Sequence, residues 1–119
     1  MEKKILVVED ELDIQKILKA NLEAAGYVTF VADNAKQGLE LIKKEQPVAV
    51  ILDVMLPDEN GFDVCRKIKN DNDEIKVLIY TGKLEAVDAR RAREAGADDF
   101  TVKTVDFKYI LESIEKLTS

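Results

Sequence analysis

Three stretches of this chain, residues 5–8, 48–52 and 77–80, are apolar without interruption and rich in branched side chains. A strand with one wet face alternates polar and apolar residues, so short unbroken runs of this kind indicate strands covered on both faces, as in a parallel sheet. Residues 28–31 and 100–102 are weaker strand candidates, flanked by Gly26 and by the turn sequence Gly96-Ala97-Asp98-Asp99. Between the runs the spacing becomes helical. Ile14, Ile17, Leu18, Leu22 and Ala25 are assigned to one face, and Phe107, Ile110, Leu111, Ile114 and Leu117 to another. Asn34 with Gln37 three residues later forms a helix-starting box before Leu39, Leu41 and Ile42, and Val64, Cys65 and Ile68 mark a shorter helix after Gly61. The stretch 84–95 is mostly Ala and Arg around Leu84 and Val87, which makes it the least well-anchored helix. Strict alternation of strand and helix, joined by right-handed crossovers, predicts a three-layer α/β sandwich: a doubly wound parallel five-stranded sheet with helices on both faces.

A chain of 119 residues is expected to form one domain spanning 1–119, and at this size folding buries about 65% of the surface exposed by the unfolded chain. Hydrophobic residues at 46% and charged residues at 35% suit a globular domain and not a disordered one. The formal net charge of −6 argues against direct nucleic-acid binding, which depends on clustered Lys and Arg. No apolar run approaches the roughly 18 to 20 residues needed to cross a bilayer, and the single cysteine, Cys65, cannot form an internal disulfide, so a cytoplasmic setting is expected. The chain contains no histidine, so its reactive groups are carboxylates, hydroxyls, lysines and one thiol.

In open α/β sheets the ligand site lies at the carboxyl ends of the strands. The first central run ends in Glu9-Asp10, the next in Asp53, the third in Thr81, and the last strand in Lys103. Each has an ordinary explanation alone: Asp10 as an acid at a helix N-terminus, Asp53 as a turn residue, Thr81 as an N-cap, Lys103 as a solvated surface lysine. Together they bring three carboxylates, a hydroxyl and an ammonium to one crevice. Three gathered carboxylates repel one another unless a cation sits among them, and a hard divalent ion such as Mg2+ meets that need.

The stretches 5–11 (ILVVEDE), 50–69 (VILDVMLPDENGFDVCRKIK), 80–82 (YTG) and 96–103 (GADDFTVK) closely resemble the receiver domains of two-component response regulators, and the resemblance covers essentially the whole chain. It implies the CheY-like, flavodoxin-like fold with strand order 2-1-3-4-5. It also implies that Asp53 is the phosphorylated aspartate, that Glu9 and Asp10 are the acidic pair serving Mg2+ (or Mn2+), and that Met55 offers its backbone carbonyl to the metal. Thr81 resembles the hydroxyl that moves to the phosphoryl group, Lys103 the lysine that pairs with its oxygens, and Phe100 the aromatic rotamer partner of Thr81. The implied partners are a histidine kinase or a histidine phosphotransfer protein, with a small acyl phosphate as an alternative donor, and a downstream protein target or an effector domain outside these residues. The domain would catalyse its own aspartyl phosphorylation without being a conventional turnover enzyme. It is expected to be a monomer, with a phosphorylation-dependent dimer as the alternative, and to signal through the face built from residues 84–95, 100–102 and the last helix.

Two positions depart from the family's pattern: Thr104 follows Lys103 where proline is usual, and Gly82 follows Thr81 where alanine is frequent. In the family it resembles, the side chains two positions after the aspartate and two after the threonine flank the path of an attacking water; here these are Met55 and Lys83, neither of which orients water as a carboxylate or amide does, so slow self-dephosphorylation is expected. An aspartyl phosphatase of the haloacid dehalogenase type would want an aspartate where Met55 stands. A flavin site would place a phosphate against an acidic crevice, and no GxxxxGK[ST] loop exists for a nucleotide hydrolase. A receiver-like scaffold that binds partners without phosphorylation would not need intact acidic, threonine and lysine positions.

Overall fold

The computed structural model describes residues 2–82, 86–102 and 107–119, with residues 86–88 described as backbone only. Lys83, Leu84, Lys103 and Thr104 lie outside the described residues, as does the side chain of Val87. Strands and helices alternate throughout: β1 (Lys4–Val8), α1 (Leu12–Ala24), β2 (Val28–Ala32), α2 (Ala35–Glu45), β3 (Ala49–Asp53), α3 (Gly61–Asp71), β4 (Lys76–Thr81), α4 (Ala86–Glu94), β5 (Asp99–Val102) and α5 (Lys108–Thr118). The sheet is parallel throughout, in the order β2-β1-β3-β4-β5.

The branched runs are central strands because both faces of the sheet are covered. Leu6, Val8, Val50, Leu52, Val77 and Ile79 pack in one apolar layer with α2, α3 and α4. Ile5, Val7, Ala49, Ile51, Leu78 and Tyr80 pack in the other with Leu18 and Leu22 of α1 and Ile110 and Ile114 of α5. The order of the strands leaves a switch point between β1 and β3, from which successive crossovers run to opposite sides of the sheet, and this opens the crevice at their carboxyl ends.

Several boundaries differ from the expected ones. Ile17 is 43% exposed, because at 3.6 residues per turn it lies about 100° around α1 from Leu18. Ala25 has the angular position of the apolar face but is the C-cap, one residue past the helix, and it is exposed. Val48 precedes β3 and is 40% exposed, whereas Asp53 and Thr81 are the last residues of β3 and β4 and not the first residues of loops. α4 and the residue that follows it bring the small side chains Ala92 and Ala95 to the core, against Phe62, Val64, Cys65 and Ile68 from α3. The Arg91 guanidinium, 4.5 Å from the centroid of the Phe62 ring, adds a cation–π contact between these helices.

The start of α2 shows how a helix end is tied to the loop after β3. The first amides of a helix have no intrahelical acceptors. Here Ala35 N and Lys36 N donate to the two carboxylate oxygens of Asp58 at 2.9 and 3.1 Å, and Gln37 N donates to Asn34 Oδ1 at 2.8 Å. The amide of Gly38 donates to the Asn34 carbonyl at 3.0 Å. The Gln37 side chain reaches back to the amide of Asp33, at 2.7 Å, and not to that of Asn34, so the box begins one residue early.

Candidate functional site

The ends of β1 and β3 deliver the acids. Val8 pairs with Leu52, so Glu9 and Asp53 follow at equivalent levels on adjacent strands, and both are buried: Glu9 is 0% and Asp53 3% exposed. Asp10, one residue further on, is exposed. Glu9, Asp10 and Asp53 each bring a carboxylate oxygen to within 4.8 Å of the others. Two buried unit charges at 4.8 Å repel by about 3.5 kcal/mol at an effective dielectric constant of ~20. Desolvation on burial adds to that cost. The donor set is therefore all-oxygen, anionic and open to solvent on the Asp10 side, which fits a hard divalent cation and not a soft one.

Local contacts hold the acids in place. The Glu11 amide donates to Glu9 Oε2 at 2.9 Å, and the Tyr80 hydroxyl donates to Glu9 Oε1 at 2.5 Å. The Gln15 amide, buried at the second turn of α1, donates to the Glu9 carbonyl and, at 2.7 Å, to Asp33 Oδ1 beyond β2. The Met55 amide donates to Asp53 Oδ1 at 3.2 Å, and the Met55 side chain, 78% exposed, stands at the mouth of the crevice. Met55 and Asn60 form an isolated antiparallel bridge, which brings the loop back to start α3 at Gly61. A side chain at Gly61 would meet the Asp53 carbonyl oxygen at 2.2 Å, so glycine is what lets α3 begin this close to the strand end.

Thr81 is buried, 7% exposed, beside the acids at the end of β4. Ile79 pairs with Phe100 and Thr81 with Val102, so strand alternation puts Thr81 and half-buried Phe100 on the same face of the sheet, two residues apart in register. The structure thus brings together Glu9, Asp10, Asp53, Met55 and Thr81. Lys103 follows β5 directly and lies outside the described residues. Tyr80, Gln15 and Asp58 were not among the candidates. Tyr80 sits inside an apolar run and reads as core, although its pairing with Asp53 across β3 and β4 is the signal that places it at the site.

The sequence profile of the response regulator receiver domain matches residues 5–115. The chain belongs to the response regulator receiver domain family. This receiver domain is 39% identical over 103 residues to the alkaline phosphatase synthesis transcriptional regulatory protein PhoP of Bacillus subtilis (strain 168), a match covering 87% of this chain and 43% of that one. It is 38% identical over 102 residues to the probable transcriptional regulator ycf27 of Porphyra purpurea, covering 86% of this chain and 42% of that one. The chain spans less than half the length of these curated relatives.

Among solved structures, a CheY-like response regulator receiver domain protein from Methanospirillum hungatei JF-1 superposes with a TM-score of 0.92 at 32% identity, over 98% of this chain and 94% of that one. The response regulator TrrA of Thermotoga maritima, crystallised in complex with Mg(2+)-BeF, superposes with a TM-score of 0.89 at 30% identity, over 97% of this chain and 98% of that one. The CheY-like flavodoxin fold and the expected strand order are both observed in the receiver domain. Its described residues include no helix long and apolar enough to cross a membrane.

Proposed function

We propose that this receiver domain takes a phosphoryl group onto the carboxylate of Asp53 from a phosphohistidine on a partner kinase or phosphotransfer protein, with Mg2+ bound, and that the modification switches a protein-interaction face. The observation that carries this reading is the convergence of Glu9, Asp10 and Asp53, with carboxylate oxygens within 4.8 Å of one another at the strand ends. The Mg(2+)-BeF complex of TrrA supports the same reading for this relative.

Glu9, Asp10, Asp53 and the Met55 carbonyl would hold the cation. When bound, it neutralises the gathered carboxylates and stabilises charge on the phosphoryl oxygens. The chain's own residues do the rest. The Met55 amide at Asp53 Oδ1 orients the carboxylate for attack. An Asp53 oxygen forms the new bond to phosphorus while the bond to the donor breaks, and the electron pair of the broken bond leaves with the donor imidazole or with the carboxylate of an acyl phosphate. The buried Thr81 hydroxyl and the Lys103 ammonium supply donors for the phosphoryl oxygens as negative charge spreads over them.

The output face comprises α4, β5 and α5. Thr81 and Phe100 share a sheet face, and Phe100 lines a cleft with Ala92, Arg93 and Ala97 of the adjoining α4–β5 segment. A hydroxyl drawn towards a phosphoryl group vacates space that an aromatic neighbour can enter, which alters that cleft. Whether the output is an attached effector, as in the transcriptional regulators it resembles, or a separate protein target, the site chemistry is the same, and it belongs in the cytoplasm, where kinase and donor reside.

The test is incubation with Mg2+ and a small acyl phosphate, followed by intact mass measurement. The expected result is a gain of one phosphoryl group that requires the metal and disappears in Asp53→Asn. A wild type that gains no mass under these conditions would identify the domain as a scaffold that binds without phosphorylation.

A further inference from the structure

Tyr80 is fully buried, and its ring belongs to the apolar layer shared by α1 and α5. A phenylalanine would fill the same space. A buried phenol needs a hydrogen-bond partner for its hydroxyl, and here that partner is Glu9 Oε1, at 2.5 Å. The placement is specific. The Cα of Tyr80 pairs with Asp53 on β3, while Glu9 follows β1, the next strand beyond. Neighbouring strands lie about 4.8 Å apart, so β1 and β4 are separated by about 9.6 Å. The side chain therefore spans the level of Asp53 to reach a second acid of the same cluster, which Phe or a branched aliphatic residue at this position cannot do.

We infer that Tyr80 is a positioning residue for the divalent-cation site, its hydroxyl fixing the Glu9 carboxylate in the orientation that completes the cluster with Asp10 and Asp53. The other Glu9 oxygen is fixed from the opposite direction in the chain, by the Glu11 amide at 2.9 Å. Two donors of different origin, one local and one reaching from β4, thus set both the position and the rotation of the carboxylate. Partners of this kind commonly contribute 10- to 100-fold, roughly, to metal affinity. Burial, and then the hydrogen bond to Glu9 with the nearby carboxylate charge, push the phenol pKa up.

This inference rests on the proposed Mg2+ site and is tested by affinity, without phosphorylation. Mg2+ is titrated into unphosphorylated wild type, Tyr80→Phe, Glu9→Gln and the double variant, with binding followed by amide chemical shifts around Asp10 and Met55. Urea unfolding in chelator checks that each variant is folded. Tyr80→Phe is expected to raise the Mg2+ dissociation constant about tenfold. In the Glu9→Gln background the same change is expected to add less than about twofold, because its target is gone. Equal or tighter Mg2+ binding by Tyr80→Phe overturns the inference alone, since wild type still binds. An undiminished effect of Tyr80→Phe in the Glu9→Gln background also overturns it, because Tyr80 then acts by packing. A wild type that binds no Mg2+ overturns the metal reading itself, and this inference with it.

Discussion

Gly61 joins the strand that carries Asp53 to the helix that follows, and replacing it with alanine isolates that junction. A Cβ built there lies 2.2 Å from the Asp53 carbonyl oxygen, 2.7 Å from Val54 Cα and 3.0 Å from the Asp53 carbonyl carbon. All three neighbours are backbone, so no rotamer change relieves the contact. The start of α3 has to move away by about 1 Å to restore normal separation, against the hydrogen bond from Gly61 N to the Val54 carbonyl at 2.7 Å. Overpacking of side chains typically costs about 1–3 kcal/mol, and backbone neighbours place this case at the upper end, about 3 kcal/mol. For a domain of this size that lowers Tm by roughly 12 °C, at about 4 °C per kcal/mol. In urea, with a slope near 1.5 kcal/mol per molar, the midpoint falls by about 2 M.

Two other glycines calibrate the argument. Among the described residues nothing lies within 4 Å of a Cβ at Gly82, so Gly82→Ala is expected to be neutral or stabilising by up to about 1 kcal/mol. At Gly38 the nearest atom is a side-chain methyl, Val8 Cγ2 at 3.0 Å, and the helix propensity gained, about 1 kcal/mol, offsets the crowding. Equilibrium unfolding of the three variants should rank Gly61→Ala far below the others. If Gly61→Ala unfolds within about 0.5 kcal/mol of wild type, the close approach of α3 to Asp53 is not rigid, and the reasoning fails.

Asp58→Ala should cost about 1 kcal/mol in urea unfolding at neutral pH by removing the cap on α2. The Ala35 amide, and then that of Lys36, outweigh desolvation and hold the Asp58 carboxyl below its ordinary value of 3.8. Its contribution is therefore fully present above about pH 4 and is lost as pH falls through the lower folded value, so wild type and variant should converge in acid. The Thr29 hydroxyl is buried without a hydrogen-bond partner among the described residues, so Thr29→Val should raise stability by about 1 kcal/mol, read as a higher urea midpoint. Met55→Asn should shorten the phosphoryl half-life several-fold, measured by loss of the phosphorylated mass after the donor is removed, because an amide at this 78% exposed position can orient water and a thioether cannot.

What could be read in the sequence depended on how local the signal was. The runs at 5–8, 48–52 and 77–80 were legible as doubly covered strands because burial on both faces removes alternation, and the acids at their ends followed from where α/β sheets place their sites. Ile17 was assigned to the buried face because spacing alone does not fix how wide the apolar stripe is. Asp58 drew no reading of its own, because no spacing rule shows that it caps a helix beginning 23 residues earlier. Tyr80 was hidden for the same reason, since it meets Glu9 across the sheet over a separation of 71 residues, and Gln15 bonds Asp33 18 residues away. The strand order came from resemblance, since alternation and crossover handedness allow more than one order of parallel strands.

The last two residues of β4 connect the site to both helical layers. Successive residues in a strand face opposite sides. Tyr80 faces the α1 and α5 layer, where its ring packs while its hydroxyl holds Glu9. Thr81 faces the α2, α3 and α4 layer, on the side of the sheet that carries Ile79 and Phe100. The proposed phosphorylation of Asp53, whose Cα pairs with Tyr80, would therefore meet a fully buried aromatic ring on one side of the sheet and a hydroxyl on the other. The phenol is locked by full burial of its ring, whereas the Thr81 hydroxyl turns about a single side-chain bond, and Phe100 is only half buried. If Asp53 is phosphorylated as proposed, this asymmetry would direct the response towards α4 and β5, while Tyr80 on the α1 side would keep Glu9 in place.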